Sequence, residues 1–218
     1  GGIAHDVNNQ LTMVLGQIAI CQTLLESHPE VQAHLQAAEG ATIKCAEVLR
    51  SLMDFSRPDL GRREQLDLNA VVEEAASLLR RVLGRSIRVE TELAPDLPLL
   101  FGEPVKLQQV LVNLGLNARD AMPEGGFLRV RTIRVGDCAR LEVEDTGCGM
   151  AEEVRLRVFE PFFTTKEMGK GTGLGLSMVA NIVGAHGGQI QVESEPGAGT
   201  LFRIEFPPSL RRRTEDPA

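Results

Sequence analysis

The sequence predicts an α+β protein in two parts: a helical hairpin that pairs with a second copy into a four-helix bundle, and then helices on one face of a mostly antiparallel sheet. In residues 1–57 the apolar positions recur at alternating steps of four and three, which is typical of packed helices. After residue 65, helical spacing and strand-like alternation intermix without regular βαβ repetition. This change of pattern indicates two domains.

The hairpin is predicted from two matching seams. The first helix carries apolar residues at Val7, Leu11, Val14, Ile18, Cys21 and Leu25. The second repeats the spacing at Val31, Leu35, Ala38, Thr42, Cys45, Leu49 and Leu52. Pro29 can open the second helix, and Pro58 limits it because the residue before a proline avoids helical geometry. A lone hairpin cannot surround its own seam with protein, so we expect a homodimer held through residues 1–57.

The second part has clear element signals between a linker and a tail. We predict a linker over residues 58–65, a domain over 66–208 and a disordered tail over 209–218. Helical spacing predicts helices over residues 69–83, 104–122 and 174–185. Alternation predicts strands over residues 87–93, 128–135, 140–144, 189–193 and 200–206.

Composition excludes several classes of function. The net charge is −7 and the chain has no Trp or Tyr, which argues against nucleic acid as a partner. No apolar run approaches the roughly 18 residues of a membrane span, so we expect no membrane contact and a cytoplasmic location for this piece. The chain starts without Met, so we expect an excised piece whose parent could carry a membrane anchor. The cysteines are widely separated and are expected to be reduced thiols.

Two asparagines in a predicted helix suggest a metal site. Asn113 and Asn117 are four residues apart, so they share one face of that helix. Their amide oxygens are suitable ligands for Mg²⁺, which keeps other positions for phosphate oxygens and water. Taken alone, the pair is better explained as ordinary surface polar residues.

An Asp-Gly-rich turn follows one predicted strand. Asp145 ends the strand and is followed by Gly147 and Gly149. Such a turn lets the backbone approach a flat ligand while the carboxylate accepts a hydrogen bond from an exocyclic amine such as that of adenine. Taken alone, it is better explained as a simple turn rich in Asp and Gly.

A Phe-rich segment precedes a glycine-rich loop. Three Phe residues beside Pro161 are expected to form an apolar anchor, and Lys166 is placed to reach phosphate. The loop Gly169–Gly175 feeds a helix start, which leaves backbone N–H groups free to bind an anion. Its spacing matches neither a P-loop nor a dinucleotide-binding fingerprint.

Together and in this order, these segments resemble the four ATP-site boxes of sensor histidine kinases. Residues Asn113–Ala121 resemble the N box, Asp145–Met150 the G1 box, Phe159–Phe163 the F box and Gly171–Ser177 the G2 box. The resemblance covers residues 66–207. It implies a Bergerat α/β sandwich that binds ATP, with residues 160–173 as a mobile lid over the nucleotide.

The start of the chain resembles the H box of the same family. Residues Gly2–Asn9 match the variant that reads His-Asp-x-Asn-Asn. On a helical wheel His5 lies about 200° from Val7 and about 120° from Leu11, so it points away from the seam. The resemblance implies that His5 is the phosphoacceptor and that Asp6 is its general base. Asn9 stands where related kinases place the residue that orients a water for dephosphorylating the regulator.

The resemblance also assigns roles in the ATP site. It implies that Asp145 binds the adenine amine, with Gly147 and Gly149 allowing close approach, and that Asn117 and Asn113 hold Mg²⁺. It places the following residues at the phosphates: Lys106, Lys166, Gly171, Thr172, Gly173, Leu174 and Gly175. The phosphohistidine would then donate to an Asp of a response-regulator receiver domain.

Several departures and alternatives stay open. Gly115 stands where the N box usually has a larger aliphatic residue, which is expected to loosen that helix by up to about 1 kcal/mol. Thr146 and Gln10 also depart from the usual boxes, and Cys148 is expected to be a small buried residue. A gyrase- or Hsp90-type ATPase would need a Glu base where Asn113 stands. A nucleotide-binding dimer scaffold without catalysis is the other alternative.

Overall fold

The computed structural model describes most of the chain as two compact units. The structure describes residues 2–25, 28–40, 42, 63–166 and 172–208, and for residues 2–9 it describes the backbone only. The first unit comprises Gly1–Asp59 with Thr164–Leu174, and the second comprises Leu60–Phe163 with Gly175–Ala218. The predicted tail over residues 209–218 lies outside the described part.

The described part of the first unit contains two helices that contact each other. Helix α1 spans Gly2–Leu24, and helix α2 covers residues 29–40 and 42. The Gln22 amide donates to Glu39 Oε2 at 3.0 Å, and the Gln32 amide donates to the Gln22 carbonyl at 2.6 Å. The predicted continuation of the second helix to residue 52 lies outside the described residues. None of the described helices has the length and apolar character that crossing a bilayer requires.

The second unit interleaves strands and helices. In chain order its elements are β1 (Glu64–Leu66), α3 (Leu68–Val82), β2 (Ile87–Glu92), β3 (Leu100–Gly102), α4 (Pro104–Ala121), β4 (Gly126–Val135), β5 (Cys138–Asp145), α5 (Glu152–Arg157), α6 (Gly175–Ala185), β6 (Gln189–Glu195) and β7 (Gly199–Phe206). The five-stranded sheet has the order β2-β4-β5-β7-β6, with only the β2–β4 pair parallel. The expectation of a mostly antiparallel sheet with helices is therefore confirmed.

The helices cover one face of this sheet. Alternate residues of β4, β5 and β7 enter the core together with the apolar faces of α3, α4 and α6. Helices α3 and α4 pack closely because residue 115 has no side chain: a Cβ there would lie 2.5 Å from Leu79 Cδ2. Gly115 therefore has a packing role between these helices, which is the physical reason for its departure from the N-box pattern.

The opposite face of the sheet carries alternating charges. Glu142 is only 5% exposed, and its carboxylate lies 3.0 Å from the Arg131 guanidinium and 3.3 Å from that of Arg203. Arg140 adds a longer contact at 4.0 Å, and Arg203 also pairs with Glu193. A carboxylate so desolvated is tolerable because several cations surround it. This face therefore needs no second helical layer.

Three short elements were not predicted. Strands β1 and β3 have three residues each and α5 has six, which is too short to establish a periodic pattern. Strands β1 and β3 form a separate antiparallel pair, and β1 takes in Glu64 and Gln65 from the segment assigned to the linker.

Candidate functional site

The site is built around a buried carboxyl group at the end of a central strand. Asp145 closes β5 and is only 7% exposed. The backbone N–H of Gly147 donates to Asp145 Oδ1 at 2.8 Å. Burial raises the pKa of the Asp145 carboxyl above its ordinary value, whereas backbone hydrogen bonds from Gly147 and Thr200 act in the opposite direction. The carboxyl group thus lies in a largely dry, backbone-lined recess.

The turn after β5 is held on two sides by hydrogen bonds. We call residues 146–150 the β5 turn. The Cys148 N–H donates to the Ala121 carbonyl at the end of α4 at 3.0 Å. On the other side, the Gly197 N–H donates to the Cys148 carbonyl at 2.7 Å, and the Met150 N–H donates to Ser194 Oγ at 2.9 Å. The β5 turn therefore joins α4 to the β6–β7 hairpin.

The hairpin contributes hydroxyl groups to this arrangement. Ser194 Oγ donates to the Gly199 carbonyl at 2.8 Å and lies 3.0 Å from Thr200 Oγ1. Thr200 is only 6% exposed and pairs with Asp145 in the β5–β7 register. Sequence reasoning missed both Ser194 and Thr200, because the only signal was their position beside an ordinary Gly-rich hairpin turn.

Two positions where the β5 turn meets the β6–β7 hairpin require glycine. Gly149 and Gly199 have φ values of +65° and +83°, a region that side chains disfavour. A Cβ on Gly199 would overlap the Asp145 carbonyl oxygen, and one on Gly149 would overlap the Glu195 carbonyl oxygen. Both positions therefore combine a conformational requirement with a steric one.

A polar stripe on α4 faces the start of α6. Asn113 and Asn117 are half-buried, and a Cβ on Gly175 would lie 4.0 Å from Asn117 Nδ2. The Asn113 amide nitrogen lies 3.7 Å from the Met178 sulfur. Lys106 lies seven residues before Asn113 and hence on the same side of α4. Helix α4 thus places two side-chain amide groups beside the first turn of α6.

Comparison with known proteins identifies this arrangement. Residues 102–210 match the family described as histidine kinase-, DNA gyrase B- and HSP90-like ATPases. The chain belongs to this ATPase family. The sensor kinase CckA of Brucella abortus is 42% identical over 240 aligned residues, which cover 100% of this chain and 25% of CckA.

Solved structures agree on the kinase branch of the family. The catalytic domain of histidine kinase ThkA is 30% identical with a TM-score of 0.58, covering 67% of this chain and 95% of that domain. Full-length ShkA is 25% identical with a TM-score of 0.72, covering 94% of this chain and 44% of ShkA. The chain thus carries a sensor histidine kinase catalytic region and spans a minor part of such full-length proteins.

The family boxes map onto the structure unevenly. Asp145, Gly147 and Gly149 of the G1 box lie together at the end of β5, whereas the N-box residues Asn117 and Asn113 lie beside Gly175 and Met178 of α6, respectively. Lys166 and Thr172–Leu174 group with the first unit, where the Lys166 N–H donates to Thr164 Oγ1 and the Leu174 N–H to Thr172 Oγ1. Gly171, and the side chains of His5, Asp6 and Asn9, lie outside the described part.

The F box is only partly the anchor that the sequence predicts. Phe159 packs edge-on against Phe202 at a centroid distance of 6.3 Å, and the Arg157 guanidinium lies 4.4 Å from the Phe163 ring centre. Phe162, however, is 58% exposed and has a φ of +66°.

The expected burial of Cys148 is also wrong. Its side chain is exposed, and the residue is held in the β5 turn by hydrogen bonds of its backbone N–H and carbonyl groups.

A cleft of about 640 Å³ adjoins the β5 turn. Asp145 and Thr200 line it, and among the described residues its other charged lining residues are Glu144, Glu152, Glu193 and Glu195 with a single cation, Arg155. The excess of negative charge on this lining would repel a polyphosphate. The amide-bearing side of α4 is therefore the better candidate for the phosphate end of ATP.

The raised pKa of Asp145 predicts opposite effects of Asp145→Asn on stability and binding. The free energy of unfolding of the wild type should fall as pH rises from 3.8 to the raised native pKa, because a desolvated group must ionise. The Asn variant lacks this fall, so at neutral pH it should be the more stable protein when ATP is absent. It should bind ATP about 10- to 100-fold more weakly, since the adenine amine loses a charged acceptor.

Urea denaturation across pH, combined with ATP titration calorimetry, measures both effects. Asp137→Asn makes the same change at an exposed position of the β4–β5 turn and should alter neither quantity. A stability difference between wild type and Asp145→Asn that is unchanged from acid to neutral pH would contradict the assignment.

Proposed function

We propose that this chain autophosphorylates on His5 with ATP and then transfers the phosphoryl group to an Asp of a response-regulator receiver domain. The observation that carries the proposal is the presence of a histidine kinase ATP site and an H-box helix in one chain. The CckA relative, which aligns with the whole chain, supports this pairing. ShkA, a structural neighbour, was solved with the ATP analogue AMPPNP.

The proposed ATP site has one end that binds the adenine base and another that binds the phosphates. At the base end Asp145 accepts from the adenine amine, in a recess where the backbone donors keep the carboxyl group fixed. At the phosphate end Lys106, Lys166 and the N–H groups of the loop before α6 neutralise and orient the phosphates. Phosphoryl transfer demands mainly such positioning and charge compensation, so no further protein nucleophile is required in this domain.

Mg²⁺ fits the amide oxygens of α4. Within the described residues there is no cluster of three or more His, Cys, Asp or Glu side chains that could hold a metal. Asn113 and Asn117 offer neutral oxygens on one helix face, which suits an ion that shares its remaining positions between phosphate and water. When bound, the ion supplies charge compensation on the phosphate oxygens.

His5 and Asp6 carry the transfer itself. One imidazole nitrogen of His5 forms the new bond to the γ-phosphorus as the bond to the ADP oxygen breaks. Asp6 accepts a hydrogen bond from the other ring nitrogen and takes the proton, which increases nucleophilicity. The product is a phosphoramidate that can donate to a carboxylate.

A receiver domain is the proposed acceptor. The histidine kinase ThkA, whose catalytic domain resembles this chain, was solved in complex with the response regulator protein TrrA. Asn9, one helical turn after His5, is proposed to orient a water that removes the phosphoryl group from the regulator. Kinase and phosphatase activities would then both use the segment of α1 that contains His5 and Asn9.

The ATPase alternative is less well supported. Hydrolytic members of the fold resemble one another in placing a Glu base four residues before the metal-binding Asn, and Asn113 occupies that position here. An amide cannot take a proton from water at neutral pH. A nucleotide-binding scaffold would leave His5 unlabelled, which the experiment below detects.

We also propose that the chain is a homodimer in which two copies of residues 1–57 form a four-helix bundle. An apolar groove of about 360 Å³ runs along α1 and is lined by Gln10, Met13, Val14, Gln17, Ile18, Cys21 and Leu35. In the single chain Met13 is 64% exposed and Val14 is 45% exposed. A second copy would remove this surface from water and complete the seam.

Incubation with γ-labelled Mg-ATP tests the kinase proposal. Wild type should acquire acid-labile label, whereas His5→Gln and Asn117→Ala should lose it by about 100-fold or more because they remove the acceptor and a phosphate-site ligand. His34→Gln and Asn181→Ala make the same changes at exposed positions and should keep it. Adding receiver domains of the source organism should chase the label from His5 onto one of them. Label that persists in His5→Gln, or is stable to acid, contradicts the proposal.

Sedimentation equilibrium tests the dimer. Val14→Asp places a charge in the seam twice by symmetry, and should weaken association by about 2–4 kcal/mol of dimer. Ala19→Asp puts the same residue at an exposed position on another side of α1 and should remain dimeric. Equal dissociation of both variants, or a monomeric wild type, would count against a bundle built on this seam.

A further inference from the structure

Two amide side chains of α4 converge on one sulfur atom of α6. The Gln109 amide nitrogen lies 3.0 Å from the Met178 sulfur, and the Asn113 amide nitrogen lies 3.7 Å from it. Gln109 and Asn113 are one helical turn apart, so both reach the same neighbour. Met178 is half-buried and packs against the core, which holds its thioether in place.

The chemistry of a thioether decides how these amides are oriented. Sulfur in Met carries lone pairs and no proton, so it can only accept a hydrogen bond. A primary amide must therefore turn its NH₂ group to the sulfur and its carbonyl oxygen away. The Asn113 oxygen is thus kept off the α4–α6 contact and is left available as a ligand.

We propose that Met178 is a positioning residue for the metal: its thioether orients the Asn113 amide so that the oxygen can bind Mg²⁺. This inference rests on the proposed function, in which Asn113 and Asn117 hold the ion. Helix α6 then acts on both asparagines, since Gly175 leaves room beside Asn117 and Met178, three residues later, orients Asn113.

The role predicts a loss that is confined to the metal-dependent part of nucleotide binding. Met178→Leu keeps a side chain of similar volume but has no acceptor, so the Asn113 amide can turn over. Contacts to adenine at Asp145 lie elsewhere and are unaffected. A purely structural role for Met178 would instead weaken binding with and without the ion.

Calorimetric titration with ADP, in excess Mg²⁺ and in EDTA, separates these cases. For Met178→Leu we expect an unchanged Kd in EDTA and an enhancement by Mg²⁺ that is about fivefold smaller than in wild type, the value of one hydrogen bond. Gln109→Leu is the matched control, because it removes the other polar partner of the same sulfur. Its enhancement should stay within about twofold of wild type.

The outcomes distinguish failure of this inference from failure of the proposed site. If Mg²⁺ does not strengthen ADP binding to wild type, or Asn113→Ala keeps the full enhancement, then Asn113 does not hold the ion and the inference is overturned with that part of the proposed function. If the enhancement is present and depends on Asn113, but Met178→Leu retains it, only the role of Met178 is overturned. Equal losses in Met178→Leu and Gln109→Leu would likewise overturn it.

Discussion

The close approach of the β5 turn to the β6–β7 hairpin is the constraint on which the candidate site depends. A Cβ at residue 199 would overlap the Asp145 carbonyl oxygen, so the backbones of these two strand ends lie in direct contact. The contact is reinforced by the Gly197–Cys148 and Met150–Ser194 hydrogen bonds. The Gly199–Asp145 contact and the Gly197–Cys148 hydrogen bond involve only backbone groups, which have no alternative rotamers, so they help to fix the position of Asp145.

Holding Asp145 in this buried position makes ionisation of its carboxyl group less favourable, and the proposed function gives a reason for keeping a carboxyl group there. Burial raises the pKa of Asp145, which means that the folded protein disfavours the charged form that the proposed contact with an adenine amine requires. Two backbone donors offset part of that cost. A group that stabilised the fold alone would more easily be an asparagine, so the carboxylate is better understood as a compromise between stability and binding.

The sequence predicted what rests on local pattern and missed what rests on long-range contact. The long helices, the five sheet strands and the G1 and N boxes were readable because each is a repeated spacing or a compact motif. Strands β1 and β3 were not, since three residues show no period. Ser194, Thr200 and Met178 belong to the site only through partners at least 44 residues away, such as the Met150–Ser194 pair. Exposure of Phe162 and Cys148 likewise follows from turn geometry.

Calorimetric ATP binding to Gly199→Ala and Gly197→Ala tests the central constraint most directly. Both glycines lie in the same hairpin with positive φ, at +83° and +80°, so both substitutions carry a similar conformational cost. Only at residue 199 would the added Cβ meet the backbone of Asp145, whereas residue 197 has nothing within 4 Å. We predict that Gly199→Ala abolishes measurable binding while Gly197→Ala binds within a few-fold of wild type. Equal affinities in the two variants would contradict the account.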